Sequence, residues 1–136
     1  MTSFDVVNLP ETVLDFLVER HLATLSTLRP DGTLHVVPVG FMFDPSSATV
    51  RIICSEGTRK VRNIDAGSRA TVCQLDGPRW LSLEGPAVVL RGAEEIADAA
   101  RRYGDRYREP RPNPNRVAIR ISVDRIMGNA SLGRSD

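Results

Sequence analysis

Short apolar runs, each cut off by a turn of defined chemistry, most limit the folds open to this chain. Leu22-Ala-Thr-Leu-Ser-Thr-Leu28 runs into Arg29-Pro-Asp-Gly32, where proline fixes φ and glycine accepts the left-handed position. Thr33 to Phe43 then returns, so residues 22–43 read as a hairpin. Asp44-Pro-Ser-Ser47 precedes a third run, Ala48 to Cys54. Arg69 to Leu75, the turn Asp76-Gly77-Pro78, and Trp80 to Leu90 repeat the plan. Val117, Ile119, Ile121 and Val123 alternate with Ala118, Arg120, Ser122 and Asp124, which makes a sixth strand with one apolar face. The runs predict a mainly β fold, a six-stranded antiparallel barrel that closes on itself, because most connections are hairpin turns.

Two helices flank these strands. Pro10 suits a first helical turn, with Asn8 or Leu9 at the cap, and Val13, Leu14, Phe16 and Leu17 share one face up to His21. Ala93 to Arg108 carries acids early and arginines late, matching the helix dipole, with Ile96, Ala99, Ala100, Tyr103 and Tyr107 as its buried stripe. Prolines recur at alternate positions in Glu109-Pro-Arg-Pro-Asn-Pro-Asn115, so this is a rigid extended loop carrying Arg111 and followed by Arg116. Residues 1–9 are expected to be a flexible lead-in and residues 128–136 a loose tail.

Cys54-Ser-Glu-Gly-Thr-Arg-Lys-Val-Arg-Asn63 joins strand to helix and concentrates positive charge. After the small turn Ser55-Glu56-Gly57 comes Thr58, then Arg59, Lys60 and Arg62, in a short helix that Val61 and Ile64 bury and Gly67 stops. The turn and the helix start offer free N–H groups, Thr58 a hydroxyl, and Arg59 a planar fork: the parts of a phosphate site. A solvated basic helix has the same composition, and the spacing is not that of a P-loop. Pro38 lacks a ladder donor, so it belongs at an edge, a bulge or an opening, and Gly40 permits close approach to the backbone. A flat ligand could meet the strand there; a plain bulge would read identically.

At 136 residues the chain is long enough for one stable domain, and its net charge of +1 argues against a general nucleic-acid binder. No apolar run approaches a membrane span, and Met-Thr-Ser-Phe-Asp lacks the basic and apolar regions of a signal peptide, so a cytoplasmic protein is expected. Cys54 and Cys73 then read as free, buried thiols. With only His21 and His35 as histidines and no CxxC, no metal site is expected. His35 reads as a hydrogen-bonded histidine rather than a catalytic one, and Trp80 as a core or interface aromatic. No acid–base pair stands out, so catalysis would fall to a bound cofactor. Lys60 is the sole lysine beside seventeen arginines, which points to a GC-rich genome.

Taken together, His21-Leu-Ala-Thr-Leu-Ser-Thr27, the Asp31-Gly32 turn, His35-Val-Val-Pro-Val-Gly-Phe41, Arg51-Ile-Ile-Cys-Ser55, Gly57-Thr-Arg-Lys-Val-Arg-Asn63 and Trp80-Leu-Ser-Leu-Glu-Gly85 resemble one family. It is the flavin-binding split barrel of the pyridoxamine 5′-phosphate oxidase-like superfamily. Glu19-Arg-His-Leu-Ala23, Arg79 to Gly85 and Tyr107 to Val117 are most similar to its deazaflavin (coenzyme F-420) branch in actinobacteria. The resemblance implies a single split-barrel domain over residues 1–136, with its core at about 10–127, and a homodimer with cofactor sites at the interface. It implies that Val36, Val37, Pro38, Val39 and Gly40 lie along the ring, and that Ile53, Cys54 and Ser55 line the ring or ribityl chain. Thr58, Arg59 and Lys60 would bind the phosphate with help from Asn63, and Trp80, Leu81 and Ser82 would come from the other subunit. Arg79, Arg111 and Arg116 would meet substrate carboxylates or the cofactor's glutamate tail, unless they serve solubility alone.

The C-terminal substrate-binding extension of the true oxidases is not expected after Val123, which turns the expectation away from pyridoxal vitamers. The implied reaction is hydride transfer from reduced F-420 to a planar tetrapyrrole, biliverdin, giving bilirubin. Reduction of quinones or other conjugated compounds with F-420 or FMN, or non-catalytic binding of flavin or haem, are the other readings.

Overall fold

The computed structural model describes residues 1–133. Among them the strands are β1 (Thr2–Phe4), β2 (Ala23–Leu28), β3 (Leu34–Val39), β4 (Met42–Asp44), β5 (Thr49–Ser55), β6 (Arg69–Asp76), β7 (Arg79–Leu90), β8 (Arg116–Ser122) and β9 (Arg125–Gly128). The helices are α1 (Glu11–Val18), α2 (Arg59–Asp65) and α3 (Ala93–Arg106), with a 3-10 turn at Ala130–Gly133. The six expected strands are the six longest. Three short ones, β1, β4 and β9, are additional.

All pairings are antiparallel, in the order β3-β2-β6-β7-β8-β5-β4, with β9 between β1 and β7. The sheet is not closed, because β3 and β4 at its ends do not pair: a split barrel, not the closed one expected from the turns. The residues expected to be a flexible lead-in form β1, which pairs with β9. The expected tail is also structured as far as 133: Gly128 closes β9, and Leu132 in the 3-10 turn is buried. The last three residues of that tail, 134–136, lie outside the described residues.

β7 is the strand the two sheet regions share. Its first half pairs with β6 and β9, and from Ala87 it pairs with β8. The change falls at Gly85, where a Cβ would sit 1.8 Å from the carbonyl oxygen of Ser122. Only a residue without a side chain lets β7 and the end of β8 approach this closely.

Alternation decides what the barrel encloses. Leu25, Val72, Leu81, Leu83, Ile52, Ile119, Ile121 and Ile126 point inward with Phe16 of α1 and Phe41, all essentially inaccessible to water. Burying each such side chain contributes roughly 1.5–3 kcal/mol. α3 covers the outside of the barrel instead, where Ala99 packs on Leu90, Ala118 and Ile53. α1 ends at Val18, before His21, because Glu19 is already extended. α2 stops where Gly67, at φ 103°, turns the chain.

Gly85→Ala should lower stability by about 3 kcal/mol or more, the scale of severe overpacking, or prevent folding. Urea unfolding followed by Trp80 fluorescence measures it.

Candidate functional site

The Thr33–Phe43 run does not make one strand. It breaks after Val39 at Gly40–Phe41, and β4 leaves in another direction. The break is held from α3. The Phe41 amide donates to the Tyr107 hydroxyl at 3.2 Å, and that hydroxyl donates to the His21 carbonyl at 2.7 Å. Arg106 donates to the carbonyls of Phe41 and Glu19 and to Gln74 Oε1, and its guanidinium lies 4.7 Å from the Phe41 ring centroid. What approaches Gly40 is the chain itself: a Cβ there would be 3.0 Å from ring carbons of both Tyr103 and Tyr107.

This break forms one wall of a cavity of about 630 Å³. Pro38, Val39 and Gly40 supply that wall, and Ile53, Cys54 and Ser55 from the end of β5 supply the next. Thr58 and Lys60 stand where α2 begins, and Tyr103 and Arg108 where α3 ends. The proline-rich loop closes it with Pro110, Arg111, Pro112 and Asn113, then Arg116. The loop is docked: Asn113 Nδ2 donates to Ser55 Oγ at 2.8 Å, and the Glu56 amide donates to the Asn115 carbonyl at 2.9 Å. The turn before α2 is braced too, because Arg91 forks onto both Glu56 oxygens at 2.8 Å and reaches Asp65 at 2.7 Å. The Arg91 hydrogen bond holds the Glu56 carboxyl below its usual range.

The cavity's charge has one sign. Lys60, Arg108, Arg111 and Arg116 line it, no carboxylate does, and none of the four has an ion-pair partner among the described residues. Several arginines elsewhere are paired: Arg51 and Arg102 with Asp44 and Asp98, Arg69 with Asp124, Arg79 with Glu19 and Asp76. Cys54 adds no charge, since burial pushes its thiol up to about 11.

Of the residues singled out in the sequence, the cavity gathers Pro38, Val39, Gly40, Ile53, Cys54, Ser55, Thr58, Lys60, Arg111 and Arg116. Arg59 stands beside them, half-buried, at the first position of α2. Others go elsewhere. Asn63 is fully buried and donates to Thr27 Oγ1 at 3.0 Å, so it ties α2 to β2 rather than facing the cavity. Arg79 is committed: its two Nη atoms hold both oxygens of Glu19 at 2.8 Å, one of them also reaches Asp76, and its guanidinium stacks on Phe16. Those acids and His21 bring three metal-ligating atoms within 4.8 Å, but Arg79 uses both carboxylates.

Leu81 points into the core at 0% exposure. Val36, Trp80 and Ser82 face outward, on the far surface of the β3-β2-β6-β7 sheet, while Val37 packs against the core. Register places them in rows: Val36 beside Ser26 and Thr71, Pro38 beside Thr24, Cys73 and Ser82, and Leu75 beside Trp80. His35 lies on the inward side of β3 with Nδ1 buried and unpartnered among the described residues. Desolvation, then the charges of Arg29, Lys60 and Arg59, holds its pKa below the ordinary value. Both cysteines are free, as expected.

Sequence reasoning missed Tyr103, Arg108, Pro110, Pro112 and Asn113 as parts of the cavity. Tyr103 is four residues before Tyr107 and so reads as core. In the proline-rich loop, sequence reasoning assigned a binding role only to the arginines.

The fold and this cavity define the class, and the chain belongs to the pyridoxamine 5′-phosphate oxidase family, whose model matches residues 9–129. The F-420H(2)-dependent biliverdin reductase of Mycobacterium tuberculosis is 49% identical over 124 residues, which cover 91% of this chain and 90% of that protein. Among solved structures, a conserved hypothetical protein from Mycobacterium tuberculosis superposes with a TM-score of 0.78 at 20% identity, covering 100% of this chain and 95% of its own. An F-420 reductase superposes at 0.69 with 24% identity, covering 83% of this chain and 94% of its own. At those identities the superpositions show the fold alone.

A thiol that ionises near pH 11 is a poor nucleophile at pH 8. Alkylation of Cys54 by iodoacetamide at pH 8 should be about a hundredfold slower in native than in unfolded protein, and should still be accelerating above pH 10. Mass-spectrometric quantification of the Cys54 peptide over time checks it.

Proposed function

We propose that this protein is an oxidoreductase that uses reduced coenzyme F-420 to convert biliverdin to bilirubin, acting in the cytoplasm as a homodimer. The observation that carries the reading is the cavity with four unpaired cations and no carboxylate, bounded by a strand end that exposes its backbone at Gly40. F-420 is a flat ring joined through a phosphate to a glutamate tail, an anion along much of its length. The residues present fit such a group. The name of the Mycobacterium tuberculosis relative supports both cofactor and substrate.

Thr58, Arg59 and Lys60 would hold the phosphate. Because α2 has only seven residues, the hydroxyl and the cationic side chains carry this role more than the helix dipole does. Ile53, Cys54 and Ser55 would line the ring and ribityl chain, with Cys54 as a neutral, apolar contact. Pro38, Val39 and Gly40 would offer the ring a backbone wall, fixed by Tyr103 and Tyr107 behind it. When bound, the reduced cofactor supplies a hydride, which together with one proton from water reduces the central methine bridge of biliverdin. Among the described residues no histidine or carboxylate lines the cavity, so the chain's contribution would be to position the acceptor and hold bulk solvent away, with one ordered water delivering the proton. Arg111 and Arg116 would meet the glutamate tail.

The outer face of the β3-β2-β6-β7 sheet supports the homodimer. Leu28, Leu34 and Val36 at one end of that face are 46%, 66% and 55% exposed, and Leu75, 57% exposed, lies beside Trp80 at the other, with Ser26, Thr24, Thr71 and Cys73 between: two apolar patches that a second copy would cover. Trp80 and Ser82 would then reach the partner's cofactor through side chains, and Leu81 only through its backbone.

Titration of the purified protein with F-420 and FMN in parallel tests the cofactor. F-420 should bind at micromolar concentration or below with FMN weaker, and preference for FMN would overturn the reading. Lys60→Ala should weaken F-420 binding by about tenfold or more, the worth of one charge-assisted hydrogen bond, while the dimer persists. Val36→Glu should convert the dimer to a monomer in sedimentation velocity, by burying an unpaired charge in the interface.

A further inference from the structure

Beside the main cavity lies a hollow of about 250 Å³ between the end of α1 and the end of α3, lined by Arg20, His21, Leu22, Tyr103, Tyr107 and Arg108. It shares Tyr103 and Arg108 with the main cavity and includes nothing from the Ser55–Lys60 side. Tyr103, which packs against Gly40, and Arg108 therefore border both spaces.

Three features make this hollow more than a solvated surface. Arg20 and Arg108 are exposed and make no hydrogen bond or ion pair among the described residues, whereas Arg79 is paired with Glu19 and Asp76. The acids that would otherwise offset them are taken: Glu19 is held by the Arg79 fork and by His21, Asp76 by Arg79. The floor is apolar, made of the two tyrosine rings, 5.0 Å apart between centroids, with Leu22, itself 62% exposed, on the rim. An apolar floor under two unpartnered guanidinium groups fits a planar organic body that carries carboxylates. A guanidinium fork matches a carboxylate in two parallel hydrogen bonds.

We propose that Arg20 and Arg108 bind the side-chain carboxylates of the acceptor, so that the acceptor lies across Tyr103 with its anionic end in this hollow. This names the substrate class for the site proposed above and rests on that reading: a planar acceptor bearing carboxylates, as biliverdin does with its two propionates. It divides the cavity's cations by task. Lys60 and its neighbours take the cofactor's phosphate at one side, and Arg20 and Arg108 select acceptors with carboxylates at the other. Arg79, which the sequence offered for this task, is already paired with Glu19 and Asp76.

Absorbance titrations with biliverdin and with its dimethyl ester, whose carboxylates are blocked, test the proposal. Wild-type protein should bind the free acid about tenfold more tightly than the ester, the effect of pairing exposed charges in a forked geometry. Arg20→Gln and Arg108→Gln should each shrink that preference, and the double variant should bind acid and ester alike, with its thermal midpoint unchanged. Equal binding of acid and ester by the wild type, or a preference that survives in the double variant, would overturn it. F-420 titration and oxidation of reduced F-420 are read separately. Acid preference that maps to these arginines without cofactor oxidation would keep the carboxylate site and remove the reductase reading. Turnover without acid preference would do the reverse.

Discussion

One guanidinium joins the elements on which the cavity depends. Arg106, at the last position of α3, donates to the carbonyl that ends α1, to the carbonyl of Phe41 where the second run breaks, and to Gln74 on β6. It lies over the rings of Phe41 and Tyr107. Burial works against its charge and lowers its pKa, so the group is tolerated only because oxygens fill its fork. Gln74 is itself completely buried and passes its amide hydrogen to the Phe16 carbonyl. The barrel mouth is therefore closed by a polar network in which backbone carbonyls are the main acceptors. Among the described residues no side-chain carboxylate competes for the arginine, and hydrogen-bond directions fix the geometry of the Gly40 wall.

The long strands were legible because each is a run of six residues or more with local evidence: Pro-Asp-Gly between β2 and β3, Asp-Gly-Pro between β6 and β7, Asp-Pro-Ser-Ser before β5, and strict alternation in β8. β1, β4 and β9 were not, because three or four residues show no period and their pairing comes from distant chain. Pro38 and Gly40 marked a bulge or opening, but that the strand ends at Gly40–Phe41 was not legible, for a similar reason. Its partners Arg106 and Tyr107 lie some 65 residues away in sequence, and nothing local requires the strand to end. Closure was misjudged because turn chemistry fixes neighbours within a hairpin but not whether the two ends of a sheet meet.

The site was legible where its parts are contiguous. Ile53 to Lys60 follows strand into turn into helix, and the structure sets most of that segment on the cavity. Charge alone misled at Arg79, since a sequence does not show which cations already have partners. Alternation would have excluded Leu81, flanked as it is by Trp80 and Ser82 on the outer face. Asn63 has the polarity of a ligand-binding residue, and only its total burial against Thr27 shows that it secures the helix instead.

Pro38 has a consequence beyond the cavity it borders. β3 ends the sheet, pairs only with β2, and carries exposed Leu34 and Val36, so it offers an incoming strand both an apolar strip and a row of free backbone groups. Such an edge invites end-on growth of one molecule's sheet into the next, the first step of fibrous aggregation. A proline near the end of that strand withholds an amide and interrupts the template. The apolar strip can then be covered face to face, while indefinite strand addition along the edge is refused.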